Sequence, residues 1–279
     1  MRLGGSVMKS YHHPNEWLAH VRELGYSAVI FPVDSSAGAE VRRDYLKCTQ
    51  DHDLVIGEVG IWRNCMSLDK QEREKHIAYA IRQLEMAEEV GARCCVNIAG
   101  AWSDIWDGYH PDHGTRAFYD AVVETTQRII DAVEPEKTCF SLEPMPWMCP
   151  ESPQEYLKMI KDVDREAFKV HLDYANMINS LDRYRSSSAF IRECFELLGP
   201  HICSIHAKDL MIDDHKLPLC IEEVPPGKGS IDLGLVLSLA HELGEDTPVF
   251  VEHLADHEAY MAASAHMRMV AEKACIPVK

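Results

Sequence analysis

The chain has 279 residues and a formal net charge of −17. That balance argues against a nucleic-acid partner, because neutralising phosphates takes a Lys/Arg-rich face. No stretch approaches the roughly 18 consecutive apolar residues of a membrane span, and the start MRLGGSVMKSYHHP lacks the apolar run of a secretory signal, so no membrane partner is expected. The ten cysteines contain no C-x-x-C pair and several sit in apolar runs. They read as reduced, mostly buried thiols of a cytoplasmic protein.

In chain order, the first half predicts strand 2–8, helix 14–24, strand 28–33, helix 37–51, strand 54–61, helix 68–90, strand 93–99 and helix 115–133. The second half predicts strand 138–143, helix 152–163, strand 169–173, helix 187–198, strand 202–206, helix 233–243, strand 248–252 and helix 257–274. The helix over 68–90 carries Ile77, Ala80, Ile81, Leu84 and Ala87 on one face, and Gly91 follows near its end. Strict alternation of this kind predicts an α/β fold, a (β/α)8 TIM barrel spanning 1–279 as one domain. A doubly wound sheet binding a dinucleotide would need a Gly-rich turn after its first strand. Gly4 and Gly5 instead lie inside that strand. The least regular stretches, 100–114, 144–151 and 207–230, each follow a strand. A barrel would therefore place them on its C-terminal face, where active sites are built.

The strands TCFSLE, KVHLD, ICSIH and PVFVE end on Glu143, Asp173, His206 and Glu252. Barrel strands alternate between interior and helix-facing positions. One register turns Glu143, Ser141 and Cys139 inward, with Phe140 and Leu142 against helices. The same register turns in Asp173 with His171, His206 with Ser204, and Glu252 with Phe250. It predicts Val170, Leu172, Cys203, Ile205, Val249 and Val251 on the helix side. Any one acidic or imidazole group at a strand end is ordinarily a loop hydrogen-bonder. Three inward carboxylates at one barrel mouth repel one another unless a cation lies among them. This donor set suits one divalent metal ion, Mn2+ or Mg2+ first and Co2+ or Zn2+ as alternatives.

These residues resemble the xylose isomerase-like TIM-barrel superfamily of the sugar phosphate isomerase/epimerase type. The resemblance is carried by Glu143-Pro144, His171-Leu172-Asp173, His206-Ala207-Lys208-Asp209, the run from Pro226 to Asp232, and Glu252-His253. It implies Glu143, Asp173, His206 and Glu252 as metal ligands, with Glu143 and Glu252 also serving as the catalytic acid/base pair. It also implies a homo-oligomer, since barrels of this type commonly pair. A metal holding a carbonyl and the adjacent hydroxyl stabilises the enediolate formed on proton loss, and a carboxylate on each face can remove and return a proton. The ketose 3-epimerases of the superfamily have a His three residues after the strand-6 Asp, where this chain has Asn176. They also have an Arg after the strand-7 His, where 207–223 offers only Lys208 and Lys216 as basic side chains besides His215.

Trp147, Asn176, Lys208 and Asp209 are expected to contact substrate. For Asp209 the alternative is an anchor behind the site. Trp62, Trp102 and Trp106 either join Trp147 in an apolar wall or pack separately, and Glu58 either lines the mouth or pairs with a lysine. The expected function is a metal-dependent sugar isomerase or epimerase. A decarboxylase, dehydratase or lyase on an oxo-sugar or oxo-sugar acid is the alternative. A repair nuclease with three zinc ions would need more histidines than the ends of strands 2 to 4 provide, and a binding module without activity is disfavoured by the intact Glu143 and Glu252.

Overall fold

The alternating pattern becomes, in a computed structural model describing residues 1–279, a ring of parallel strands wrapped by helices. The first half runs β1 (Arg2–Gly5), α1 (Pro14–Glu23), β2 (Ala28–Ile30), α2 (Ala39–Asp51), β3 (Val55–Gly60), α3 (Lys70–Val90), β4 (Cys94–Asn97) and α4 (Arg116–Val133). Then come β5 (Phe140–Leu142), α5 (Pro153–Val163), β6 (Phe168–Asp173), α6 (Tyr174–Met177), α7 (Leu181–Arg185), α8 (Ser187–Leu198) and β7 (Ile202–His206). The chain closes with β8 (Asp209–Ile212), β9 (Ile221–Val224), α9 (Leu233–Leu243), β10 (Pro248–Val251) and α10 (His257–Lys273).

The strands pair in the order β1-β10-β7-β6-β5-β4-β3-β2. At the remaining seam Ser27 N donates to Leu3 O at 2.9 Å, bringing β2 back beside β1. The result is a (β/α)8 TIM barrel. All eight expected strands and eight expected helices are present, with shifted ends. The hairpin β8–β9 and the short helices α6 and α7 are additional.

Local sequence explains the helix ends. Asp69, Thr115, Ser152, Asp232 and Asp256 each accept a backbone N–H of the first turn of the following helix, satisfying donors that have no partner within the helix. Helix α3 stops where Gly91 takes φ 67°, a left-handed conformation that costs glycine little. Helix α4 turns Phe118, Val122 and Ile129 into the core. No helix is long and apolar enough to cross a membrane.

Two extra residues change the interior. Between the pairs Val29↔Ile56 and Ile30↔Glu58, β3 gains Gly57 relative to β2. Between Val170↔Ile202 and His171↔Ser204, β7 gains Cys203 relative to β6. A bulge re-aims side chains locally. The expectation that Cys203 faces the helices is therefore corrected: its sulfur lies 3.2 Å from Cys139 Sγ and 3.3 Å from Ser141 Oγ, on the interior side. Phe250 fills the middle of the barrel. A Cβ placed on either Gly4 or Gly57 would come within 2.5 Å of its ring, so both strands need glycine there.

Candidate metal centre

Glu143 follows β5, Asp173 closes β6, His206 closes β7 and Glu252 follows β10. Strand pairing alone brings three of these positions together: Asp173 is the register partner of His206, and His206 that of Phe250, two residues before Glu252. Glu143 is held by its own N–H, which donates to Asn97 O at 2.7 Å. One donor atom from each of the four side chains falls within 4.8 Å of all the others. His206 Nδ1 lies 2.8 Å from Glu252 Oε1, 3.4 Å from Glu143 Oε1 and 3.8 Å from Asp173 Oδ2.

Glu143, Asp173 and His206 are buried, and Glu252 is nearly so. Asp173 Oδ2, His206 Nδ1 and Glu252 Oε1 are buried without a hydrogen-bond partner of proper direction. Buried polar atoms left this way are costly. Three carboxylates and one imidazole converging within 4.8 Å have the donor chemistry of a divalent-cation site, and Glu143, Asp173, His206 and Glu252 are the residues that would hold the ion.

Lys208 enters the same space. Its Nζ is 2.5 Å from Glu252 Oε1, 2.8 Å from Asp173 Oδ2, 3.4 Å from Glu223 Oε2 and 3.8 Å from Glu143 Oε1. Burial alone would lower its pKa, but Asp173, Glu252 and Glu143 hold it well above the usual range. Burial pushes the Glu143 carboxyl up to about 7, with the charge of Glu252 adding and His206 opposing. Burial would also raise Asp173 and Glu252, yet Lys208 and His206 hold both below the ordinary carboxylate range.

Asn176, on α6, donates from Nδ2 to Glu143 Oε1 at 3.1 Å and to Pro144 O at 3.0 Å. The carboxylate of Asp209 is occupied by the chain itself. It accepts from the backbone N–H groups of Leu210, Gly227, Gly229 and Ile231 at 2.8–3.0 Å. The expected substrate contact at Asp209 thus gives way to the anchor, which fixes the segment after His206. Trp147 Nε1 donates to Asp107 O at 2.9 Å and joins two rim loops. Trp102 instead packs edge-on to Phe118, so the four tryptophans do not form one wall of equivalent residues.

Glu58 pairs with no lysine. Its Oε1 lies 3.3 Å from His171 Nδ1, 3.5 Å from His206 Nε2 and 2.5 Å from Ser204 Oγ, one pleat below the main cluster. Sequence reasoning also missed Glu223, and it named His253 beside Glu252 without giving it a role. Glu223 arrives on the unforeseen β9, 3.0 Å from His253 Nδ1, and His253 sits at φ 55°. The acidic IEEV run was the available signal, but nothing in it indicates pairing back to Asp209–Ile212.

An eight-stranded α/β barrel with a convergent acid and imidazole cluster at the C-terminal ends of its strands defines the class. The chain belongs to the xylose isomerase-like TIM barrel family, whose model matches residues 18–270. Among solved structures it is similar to an L-ribulose 3-epimerase, with TM-score 0.73, 17% identity and coverage of 98% of this chain and 95% of that one. It is similar to the probable 3-DHS dehydratase AsbF of Bacillus anthracis at TM-score 0.73 and 16% identity, covering 97% and 99%. A xylose isomerase-like TIM barrel protein from Mycobacterium smegmatis in complex with magnesium gives TM-score 0.68 and 18% identity over 98% and 97%. No curated protein matches the sequence.

Proposed function

We propose that this barrel is a divalent-metal-dependent sugar isomerase or epimerase that moves a proton at the carbon next to a carbonyl. The observation carrying the reading is the buried convergence of one donor atom each from Glu143, Asp173, His206 and Glu252 within 4.8 Å. A cation bound there supplies Lewis acidity toward a carbonyl and its neighbouring hydroxyl, with Mn2+ or Mg2+ best matched to the oxygen-rich set. Glu252 and Glu143 act as the proton-transfer pair, one removing the substrate proton and the other returning it. Asn176 keeps Glu143 oriented. Lys208, Asn176 and Trp147 bind the substrate's oxygens and outer edge. The epimerase names among the structural neighbours support a sugar as substrate. Ten free cysteines suit a cytoplasmic protein, and we extend the reading to a homo-oligomer acting as one domain over 1–279.

The test is to load the protein with Mn2+ and offer a panel of ketoses, aldoses and oxo-sugar acids in D2O. Deuterium entering the carbon next to the carbonyl, together with an isomeric product, is expected. Both should vanish in Glu143→Gln and Glu252→Gln. A product that has lost water or CO2 without isomerisation would instead establish a dehydratase, decarboxylase or other lyase. Lys208 is the observation favouring that second reading. An ammonium 2.5 Å from Glu252 can hold a substrate carboxylate or a departing hydroxide by its charge, and one structural neighbour is named as a dehydratase.

A further inference from the structure

We propose that the barrel holds a second divalent-cation site one pleat below the first, formed by Glu58, His171 and the Nε2 atom of His206, and suited to a zinc-type ion. The site goes beyond the catalytic reading and shares only His206 with it.

The three side chains come from β3, β6 and β7, and each is no more than 1% exposed. Their donor atoms lie within 4.8 Å of one another. Glu58 Oε1 stands 3.3 Å from His171 Nδ1 and 3.5 Å from His206 Nε2. A tetrahedral ion with bonds of roughly 2.0–2.2 Å separates neighbouring donors by about 3.3–3.6 Å. The two spacings from Glu58 match that separation, and the two imidazole donors lie within 4.8 Å of each other.

Hydrogen bonding accounts for the cluster less well. Neither nitrogen of His171 has a hydrogen-bond partner, although the ring is fully buried. A neutral imidazole carries one N–H, and an unpaired donor in the interior is costly. Glu58 meets no lysine or arginine; its ionic neighbours are the two imidazoles, and its one directed hydrogen bond comes from Ser204 Oγ at 2.5 Å. A cation would satisfy the orphan nitrogen and the buried carboxylate together.

The donors also separate the two sites chemically. Two imidazoles and one carboxylate favour zinc-type ions, whereas three carboxylates and one imidazole favour manganese or magnesium. His206 faces the upper cluster with Nδ1 and Glu58 with Nε2. With both sites filled His206 would offer one nitrogen to each, and every proton its ring carries would have to be given up to solvent.

The experiment is metal analysis of the whole protein after loading with Zn2+ and Mn2+ together, followed by desalting. A second ion per chain is expected in the wild type, with zinc K-edge absorption reporting two imidazoles on the zinc. Glu58→Gln and His171→Asn should each lose the zinc and retain manganese. Glu143→Gln should lose manganese and retain zinc. A wild type holding a single ion, or a second ion that persists in both Glu58→Gln and His171→Asn, overturns the proposal. The wild-type count and zinc spectrum decide the matter even if those variants fail to fold. Failure of the catalytic reading appears separately, as no solvent-deuterium exchange by manganese-loaded protein.

Discussion

Lys208 Nζ lies 2.8 Å from Asp173 Oδ2, inside the group of oxygens that converge at the top of the barrel. The same ammonium reaches Glu252 Oε1 at 2.5 Å, and no lysine or arginine besides it approaches these carboxylates. Lys208 is thus the built-in counter-charge of the cluster. Removing one partner of a buried ion pair costs about 3–5 kcal/mol, because the other charge is left uncompensated. Lys208→Met should lower stability by about that amount in EDTA, and Mn2+ should restore much of it. Thermal melts with and without metal check this. An equal metal-induced shift in wild type and variant would mean that Lys208 does not balance the ligand charge.

Asn176 bridges Glu143 and the backbone of Pro144. A hydrogen bond to a charged group contributes about 1.5–3 kcal/mol, so losing it frees Glu143 to leave the orientation that the proposed proton transfer requires. Asn176→Ala should lower kcat by about ten- to a hundredfold, with a much smaller change in metal affinity. Steady-state kinetics beside calorimetric metal titration separates the two. Equal losses in both would make Asn176 a support of the metal rather than of proton transfer.

Asp209 accepts four backbone N–H groups from the segment that follows His206. Asp209→Ala leaves the buried N–H groups of Leu210 and Ile231 unmatched, each costing about 1–3 kcal/mol, and releases those of Gly227 and Gly229 to solvent. The amides of Gly227, Gly229 and Ile231 should then exchange with solvent much faster, while those of β4 and β5 remain protected. Exchange mass spectrometry reads this directly. Unchanged protection at 227–231 would remove Asp209 as the anchor.

The barrel was legible because the strands are short and mostly apolar, most of the long helices begin at a capping side chain, and the two alternate in order. The convergence of the acid and imidazole cluster was legible for a related reason: it sits at strand ends, where period-two alternation fixes which way a side chain points. Glu58 and Cys203 were not legible in the same way. Their orientation depends on the extra residues Gly57 and Cys203, and a bulge is a property of two paired strands rather than of one run. Glu223 was missed because β9 becomes a strand only by pairing with β8. Its IEEV sequence has too little alternation to announce that partner. Lys208 was expected near substrate, but its burial among carboxylates arises from the convergence of β6, β7 and β10, which no local pattern encodes.

Phe250 links the barrel interior to the cluster. A Cβ on Gly57 would lie 2.5 Å from Phe250 Cζ and 2.9 Å from Pro248 Cβ, and a Cβ on Gly4, on another strand, would lie 2.5 Å from Cε1 of the same ring. The ring cannot simply retreat. Overpacking of this kind costs about 1–3 kcal/mol, so Gly57→Ala should destabilise the protein by that amount. Its effect should also reach the metal, because Phe250 is in register with His206 and stands two residues before Glu252. Displacing Phe250 moves both ligands, and metal affinity should fall about tenfold or more, a loss of about 1.4 kcal/mol. Phe250→Leu in the same chain makes room for the added methyl and should recover much of the affinity. Urea melts and metal titration of the single and double variants test the linkage. If Gly57→Ala destabilises the barrel while metal affinity stays at the wild-type value, the interior packing and the cluster are mechanically independent.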